Sequence, residues 1–173
     1  MDVFFEILKY TLPALLVLVT TYIMLSSFFD NEDKRRAYLL RRETRKTSLE
    51  HKLMAYERLA LFLERISPNQ LLLRIPAGKQ AAAGYQSTLI KIIWQEFEHN
   101  VSQQVYVSDE TWAQIVHAKS AMVGIINKVA GEMPQSAPAV ELSKRILNYS
   151  MELENLPTKR ALAFIKAEIR KEL

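Results

Sequence analysis

The sequence contains no cysteine. That excludes a disulfide framework, a thiolate zinc site and a thiol nucleophile, and it suits a cytoplasmic domain. Only four of the 173 residues are glycine. None of the patterns GxGxxG, GxxxxGK[ST] or GxSxG occurs, so the chain offers neither a glycine-rich phosphate cradle nor a nucleophile elbow. Histidine is scarce, at His51, His99 and His117 only. Glycine and proline are both missing from Ala14 to Ser67. These two residues disfavour a helix interior most strongly, so a single helix is expected to run unbroken to about Ile66.

Charge is missing as well, from residues 10 to 29. Twenty uncharged residues in a helix span about 30 Å, the thickness of a bilayer's hydrocarbon core. A cleaved signal would have a basic start, a shorter apolar run and small residues at its end. Here Asp2 and Glu6 flank the start, and the run closes on Phe28 and Phe29. An uncleaved single-pass anchor over residues 1–29 is the expectation. Phe4, Phe5 and Tyr10 at one end, with Phe28 and Phe29 at the other, are candidate interfacial belts. Within the span Thr20, Met24 and Ser27 share one helical face, where they are candidates for packing against a second membrane helix. Each hydroxyl can equally bond its own backbone carbonyl one turn earlier.

Lysine and arginine fall unevenly on the two sides. Lys9 alone precedes the apolar run, whereas seven basic residues occupy positions 30–46: Lys34, Arg35, Arg36, Arg41, Arg42, Arg45 and Lys46. Positive charge stays on the cytoplasmic side, so the N-terminus is expected outside and the C-terminal portion in the cytoplasm. At 100° per residue, all of these except Arg36 lie within an arc of about 140°. Acids are few there, with Asp30, Glu32 and Asp33 near the apolar run and only Glu43 further along. Residues 30–48 therefore read as a charged juxtamembrane helix. Its basic face suits anionic lipid headgroups, an acidic protein partner or simply water. Arg45 lies about 24 Å beyond Phe29 on a perpendicular helix, well past a Debye length of about 8 Å, which leaves Lys34 to Arg36 as the residues nearest to lipid.

From residue 49 to 173 the pattern is that of a soluble helical bundle. Leu49, Leu53, Tyr56, Leu59, Ala60, Leu63 and Ile66 form the first apolar stripe. Ser67-Pro68 starts a short helix over about 68–74. The next helix is expected over about 79–103, with Tyr85, Leu89, Ile92, Ile93, Phe97 and Val101 inward and Trp94 at the edge. Ser108 caps a helix to about 130, with Trp112, Ile115, Val116, Met122, Val123, Ile126 and Val129 inward. Two more helices are expected at about 138–154 and 157–171. Val140, Ile146, Leu147 and Met151 face inward on the first, and Ala161, Leu162, Phe164, Ile165 and Ile169 on the second. The fold class is all-α: an N-terminal transmembrane helix continuous with a long cytoplasmic helix, then a small bundle.

Chemistry-bearing constellations are few. Glu96 and His99 are one turn apart on a helix, half of the ligand pattern used by di-iron bundles, and no second such pair accompanies them. Residues 47–173 hold fifteen basic and thirteen acidic side chains, too balanced for nucleic-acid binding as the main activity. No cofactor and no small-molecule substrate are implied.

Three segments carry a resemblance: Glu-Ile-Leu-Lys-Tyr-Thr-Leu-Pro-Ala at 6–14, Ala-Tyr-Glu-Arg-Leu-Ala-Leu-Phe-Leu-Glu-Arg-Ile-Ser-Pro at 55–68, and Phe-Glu-His-Asn-Val-Ser-Gln-Gln-Val-Tyr-Val-Ser at 97–108. Together they resemble an uncharacterised family of small single-pass membrane-anchored proteins of the Bacteroidota. The resemblance implies a bacterial inner-membrane protein and brings no assigned activity. The expected function is a membrane-tethered helical interaction module, a scaffold or accessory subunit. Its partners would be the lipid bilayer and either other proteins of a membrane complex or copies of itself. The alternative is a small membrane-bound enzyme or metal protein using Glu96 and His99.

Overall fold

The computed structural model describes residues 2–172, with side chains described for Lys9, Thr11–Pro13 and Leu15–Lys171. Phe4, Phe5 and Tyr10 of the expected aromatic belt lie outside the described side chains. Among the described residues the chain is all-α, a long N-terminal helix followed by a helical bundle. The helices are α1 (Asp2–Ile66), α2 (Pro68–Arg74), α3 (Ala82–Asn100), α4 (Asp109–Gly131), α5 (Ala139–Glu152) and α6 (Pro157–Glu172), with a 3₁₀ segment at Val101–Tyr106 after α3. By compactness the chain forms two units, Met1–Leu49 and Glu50–Leu173.

In the first unit α1 is unbroken, as the absence of glycine and proline beyond Ala14 predicts. Pro13 lies inside the helix, near its start. The described apolar side chains from Leu12 to Phe29 are all exposed, and none of the most apolar window of α1 is buried within the chain. By length and composition this helix is long and apolar enough to cross a membrane.

The second unit is built on a core shared by all six helices. α1 contributes Tyr56, Leu59, Phe62, Leu63 and Ile66, while α4 contributes Ile115, Met122 and Ile126. α4 is the central element, packing against α3, α5 and α6. The stripe on α1 is wider than expected, because Ala55 and Phe62 are buried beside the predicted positions. The hydroxyl of Ser108 accepts the Thr111 N–H at 3.2 Å, and Asp109 and Glu110 occupy the first turn of α4, complementing its dipole.

The loops before α3 and α5 hold each other. Ala81 and Pro138 form an isolated antiparallel bridge, with the Ala82 N–H donating to the Ala137 carbonyl at 2.8 Å and the Ala139 N–H to the Gln80 carbonyl at 3.1 Å. Residues 79–81 are thus extended or looped rather than helical, which starts α3 three residues later than the sequence pattern suggests. Gly78, at a φ of 61°, supplies the left-handed turn into this bridge.

Three inward assignments are corrected. Val101 is 41% exposed, Val140 46% and Met151 71%. Val101 follows Asn100, whose backbone (φ −111°, ψ 0°) departs from α-helical values at the junction with the 3₁₀ segment, and its side chain thereby leaves the stripe that continues Ile93 and Phe97. α5 carries two apolar faces about 100° apart. Ala139, Leu142 and Ile146 take the buried one, leaving Val140 and Met151 outward.

A fragment from Thr47 to Leu173 retains every helix of this core and is expected to melt cooperatively as a helical domain. Within it, Phe62→Ala should cost about 3–5 kcal/mol and Val140→Ala less than about 0.5 kcal/mol, measured by urea denaturation. Equal costs would show that the two sites are not distinguished by burial.

Candidate functional site

The basic residues singled out in the sequence all lie on the exposed part of α1. From Asp33 to Ser48 every side chain is exposed. Arg36 pairs with Glu32 across one turn at 3.3 Å. For Lys34, Arg35, Arg41, Arg42, Arg45 and Lys46 no ion pair forms among the described residues. Tyr38 and Leu40 are exposed beside them, at 66% and 65%. In the apolar run, the Thr20 hydroxyl contacts the Leu16 and Val17 carbonyls of its own helix, each at 2.9 Å. Its hydrogen is therefore committed locally, while its oxygen can still accept a bond. Met24 is exposed on the same face, as is Ser27.

Glu96 and His99 sit on α3 beside two arginines from other helices. Arg65 of α1 donates from Nη1 to Glu96 Oε2 at 3.1 Å, and Arg74 of α2 from Nη2 to Oε1 at 2.7 Å. Burial alone raises the Glu96 carboxyl, but hydrogen bonds and positive charge from Arg74 and Arg65 outweigh it and hold the group below its ordinary value. Each carboxylate oxygen already has a guanidinium partner. A cation bridging Glu96 and His99 would have to compete with these two arginines for the carboxylate. Among the described residues no cluster of three or more His, Asp or Glu side chains gathers. The same residues border an open groove of about 720 Å³, lined also by Arg58, Leu61 and Ile92. Next along α1, His51, Met54 and Arg58 border a second groove of about 420 Å³ with Val105 and Tyr106.

Two sites escaped the sequence reading. The first centres on Glu168 of α6. Its Oε1 accepts the Tyr56 hydroxyl at 2.8 Å and the Ser108 N–H at 2.9 Å. Its Oε2 accepts the Ser108 hydroxyl at 2.8 Å and also the Thr111 hydroxyl. One carboxylate thereby ties α1, the start of α4 and α6 together. Burial raises this carboxyl too, yet bonds from Thr111, Ser108 and Tyr56 together hold it below its ordinary value. A signal was present in the sequence: Ala161, Ile165 and Glu168 recur at the spacing of one inward face, and an acid on such a face needs donors.

The second is Lys119 of α4, which is buried with its Nζ 3.8 Å from the ring centroid of Trp94 and 4.2 Å from that of Phe97. Burial lowers its pKa, and the faces of the two rings stand in for a carboxylate partner. Phe97 in turn stacks on Trp112 at 5.5 Å and meets Phe62 at 5.9 Å. These contacts carry the aromatic cluster from α1 through α3 to α4.

The Glu168 contacts make a pH prediction. Its folded-state pKa lies below the ordinary 4.5, so its contribution to stability is full above that value. It is lost as pH falls through the depressed folded value. In Glu168→Gln, Oε1 can still accept from Tyr56 and Ser108 while Nε2 donates to the two hydroxyl oxygens, at a cost of about 1 kcal/mol near neutrality. Between about pH 5 and pH 3 the parent should lose stability more steeply than this variant, with Glu96 supplying the slope that remains. Parallel stability curves across that range would contradict the assignment.

No curated protein and no solved structure matches the chain. A family model does, over residues 2–172, nearly the full length and both compact units, and on that match the chain belongs to the Family of unknown function (DUF7935).

Proposed function

We propose that this protein is a membrane-tethered helical interaction module, a scaffold or accessory subunit of a bacterial inner-membrane assembly. Residues 10–29 span the bilayer once, with the N-terminus outside and the bundle in the cytoplasm. The observation that carries the reading is the state of Lys34, Arg35, Arg41, Arg42, Arg45 and Lys46. They are exposed on one helix, without ion-pair partners among the described residues, next to an apolar run that the chain leaves unpacked. A polar helix with no buried face draws little stability from packing, so a partner along its length supports it. The partner is an acidic surface of another membrane-complex protein or of a second copy, and Lys34 to Arg36 also meet anionic headgroups, worth about 1 kcal/mol each.

We read the protein as a binding protein and not an enzyme. The carboxylates with displaced pKa values are committed to holding helices together, Glu96 through two arginines and Glu168 through donors on two elements.

Changing Arg41, Arg42 and Arg45 together to Gln, a comparable helix former, preserves the helix while removing charge. Insertion and bundle folding should be unchanged, because Lys34, Arg35 and Arg36 still set the topology. Association, followed by co-purification and by sedimentation in mild detergent across a salt series, should fall at moderate salt. A triple variant that assembles like the parent at every salt concentration would mean that the face is only solvated. Separately, a reporter active only outside the cytoplasm should be silent when fused after Leu173; activity would reverse the proposed orientation.

A further inference from the structure

We propose that the groove between α1 and α3 is a docking site for an acidic amphipathic helix of a partner protein. This goes beyond the function proposed above and uses no residue of the 30–48 stretch. Along α1, His51, Met54, Arg58, Leu61 and Arg65 follow at alternating intervals of three and four. That is the interval at which one helix presents a straight seam to another. The seam is about 21 Å long, enough for four turns of a partner helix. Arg58 borders both the 720 Å³ and the 420 Å³ grooves, so the two adjoin at its side chain. His51 stacked on Tyr106 at 6.3 Å marks one end, and the Arg74–Glu96 pair marks the other.

The chemistry of the groove selects its occupant. Met54 is 55% exposed, Leu61 50% and Val105 74%, so large apolar side chains stand ready along the seam, as an amphipathic helix requires. Around them are three arginines. Arg65 and Arg74 share the single carboxylate of Glu96, and Arg58 has no ion pair among the described residues. Two positive charges are left over on the groove walls, and guanidinium forks favour carboxylates. A second copy of the chain using the same groove would set Arg58 and Arg65 against their own copies, a like-charge contact. A polynucleotide would use the arginines but leave the apolar seam uncovered. An acidic helix with apolar residues at the matching intervals satisfies both.

The test uses the full chain in detergent micelles and fluorescence anisotropy. The probe is a labelled helical peptide of three heptads, with Leu at the a and d positions and Glu at e and g. A version with Lys in place of Glu and a single-stranded oligonucleotide serve as comparisons. The acidic peptide should bind saturably in the micromolar range, and the other two should not. Arg58→Glu and Leu61→Asp change exposed side chains, and each should weaken binding about tenfold or more. Met54→Asp is the substitute if either fails to give a parental helical melt. In the background of the Arg41, Arg42 and Arg45 triple Gln variant, Arg58→Glu and Leu61→Asp should still weaken acidic-peptide binding about tenfold, which separates this site from the face on residues 30–48. Absence of saturable acidic-peptide binding overturns the proposal, as does undiminished binding by both groove variants. Equal binding of the oligonucleotide, unaffected by Leu61→Asp, would make the groove a polyanion surface instead.

Discussion

One constraint governs the molecule: α1 has to be a single helix although its surroundings change along its length. No glycine or proline after Ala14 offers it a break before Ser67. Its side chains therefore have to supply, in succession, an apolar surface from about Leu12 to Phe29, a charged surface to about Ser48, and a packed face from Ala55 to Ile66. Among the described residues only the last of these is satisfied within the chain, where Tyr56, Leu59, Phe62, Leu63 and Ile66 are buried to within about a hundredth of their surface. The other two are exposed, and the proposed function assigns a bilayer to the first and a partner to the second.

Inside the bundle, polar groups are used as ties. Glu168 accepts from Tyr56 on α1 and from Ser108 and Thr111 at the start of α4, so three chain segments distant in sequence meet on one carboxylate. Glu96 does the same for α1, α2 and α3 through Arg65 and Arg74. A partly buried ion pair such as that of Glu96 adds little net stability when compared with apolar contacts, and a carboxylate such as Glu168 that loses its donors is left buried and unsatisfied. They fix which helix lies beside which, a useful property in a bundle whose apolar stripes alone would allow sliding.

The helices themselves were largely legible. Proline and serine at 67–68, the Ser108 cap with Asp109 and Glu110, and Pro157 all mark starts that the structure keeps. Failures came where a tertiary contact overrode a local pattern. The Ala81–Pro138 bridge delays α3, and neither partner announces it, since the two lie in separate loops. On α5, two apolar faces of similar quality compete, and only the neighbouring helices decide that Leu142 and Ile146 go inward while Val140 and Met151 stay out. The Glu96–His99 spacing was visible, but its arginine partners arrive from 31 and 22 residues away and carry no sequence signature. Lys119 was invisible for a related reason: its partners are ring faces on another helix, and a lysine in a helix ordinarily faces water.

Charge balance links these observations. The two carboxylates bound most tightly, Glu96 and Glu168, lie within the bundle and are consumed by contacts that hold it together. Glu96 answers two guanidiniums at once and so leaves one positive charge over, while Arg58 beside it is answered by none among the described residues. On residues 34–46 the same imbalance recurs, with one acid, Glu43, among seven basic residues. An excess of this sort raises the electrostatic self-energy of the folded chain and contributes nothing to its core. Its cost falls when an acidic surface arrives, so the places where the chain is electrostatically least satisfied are also the places where association has most to gain.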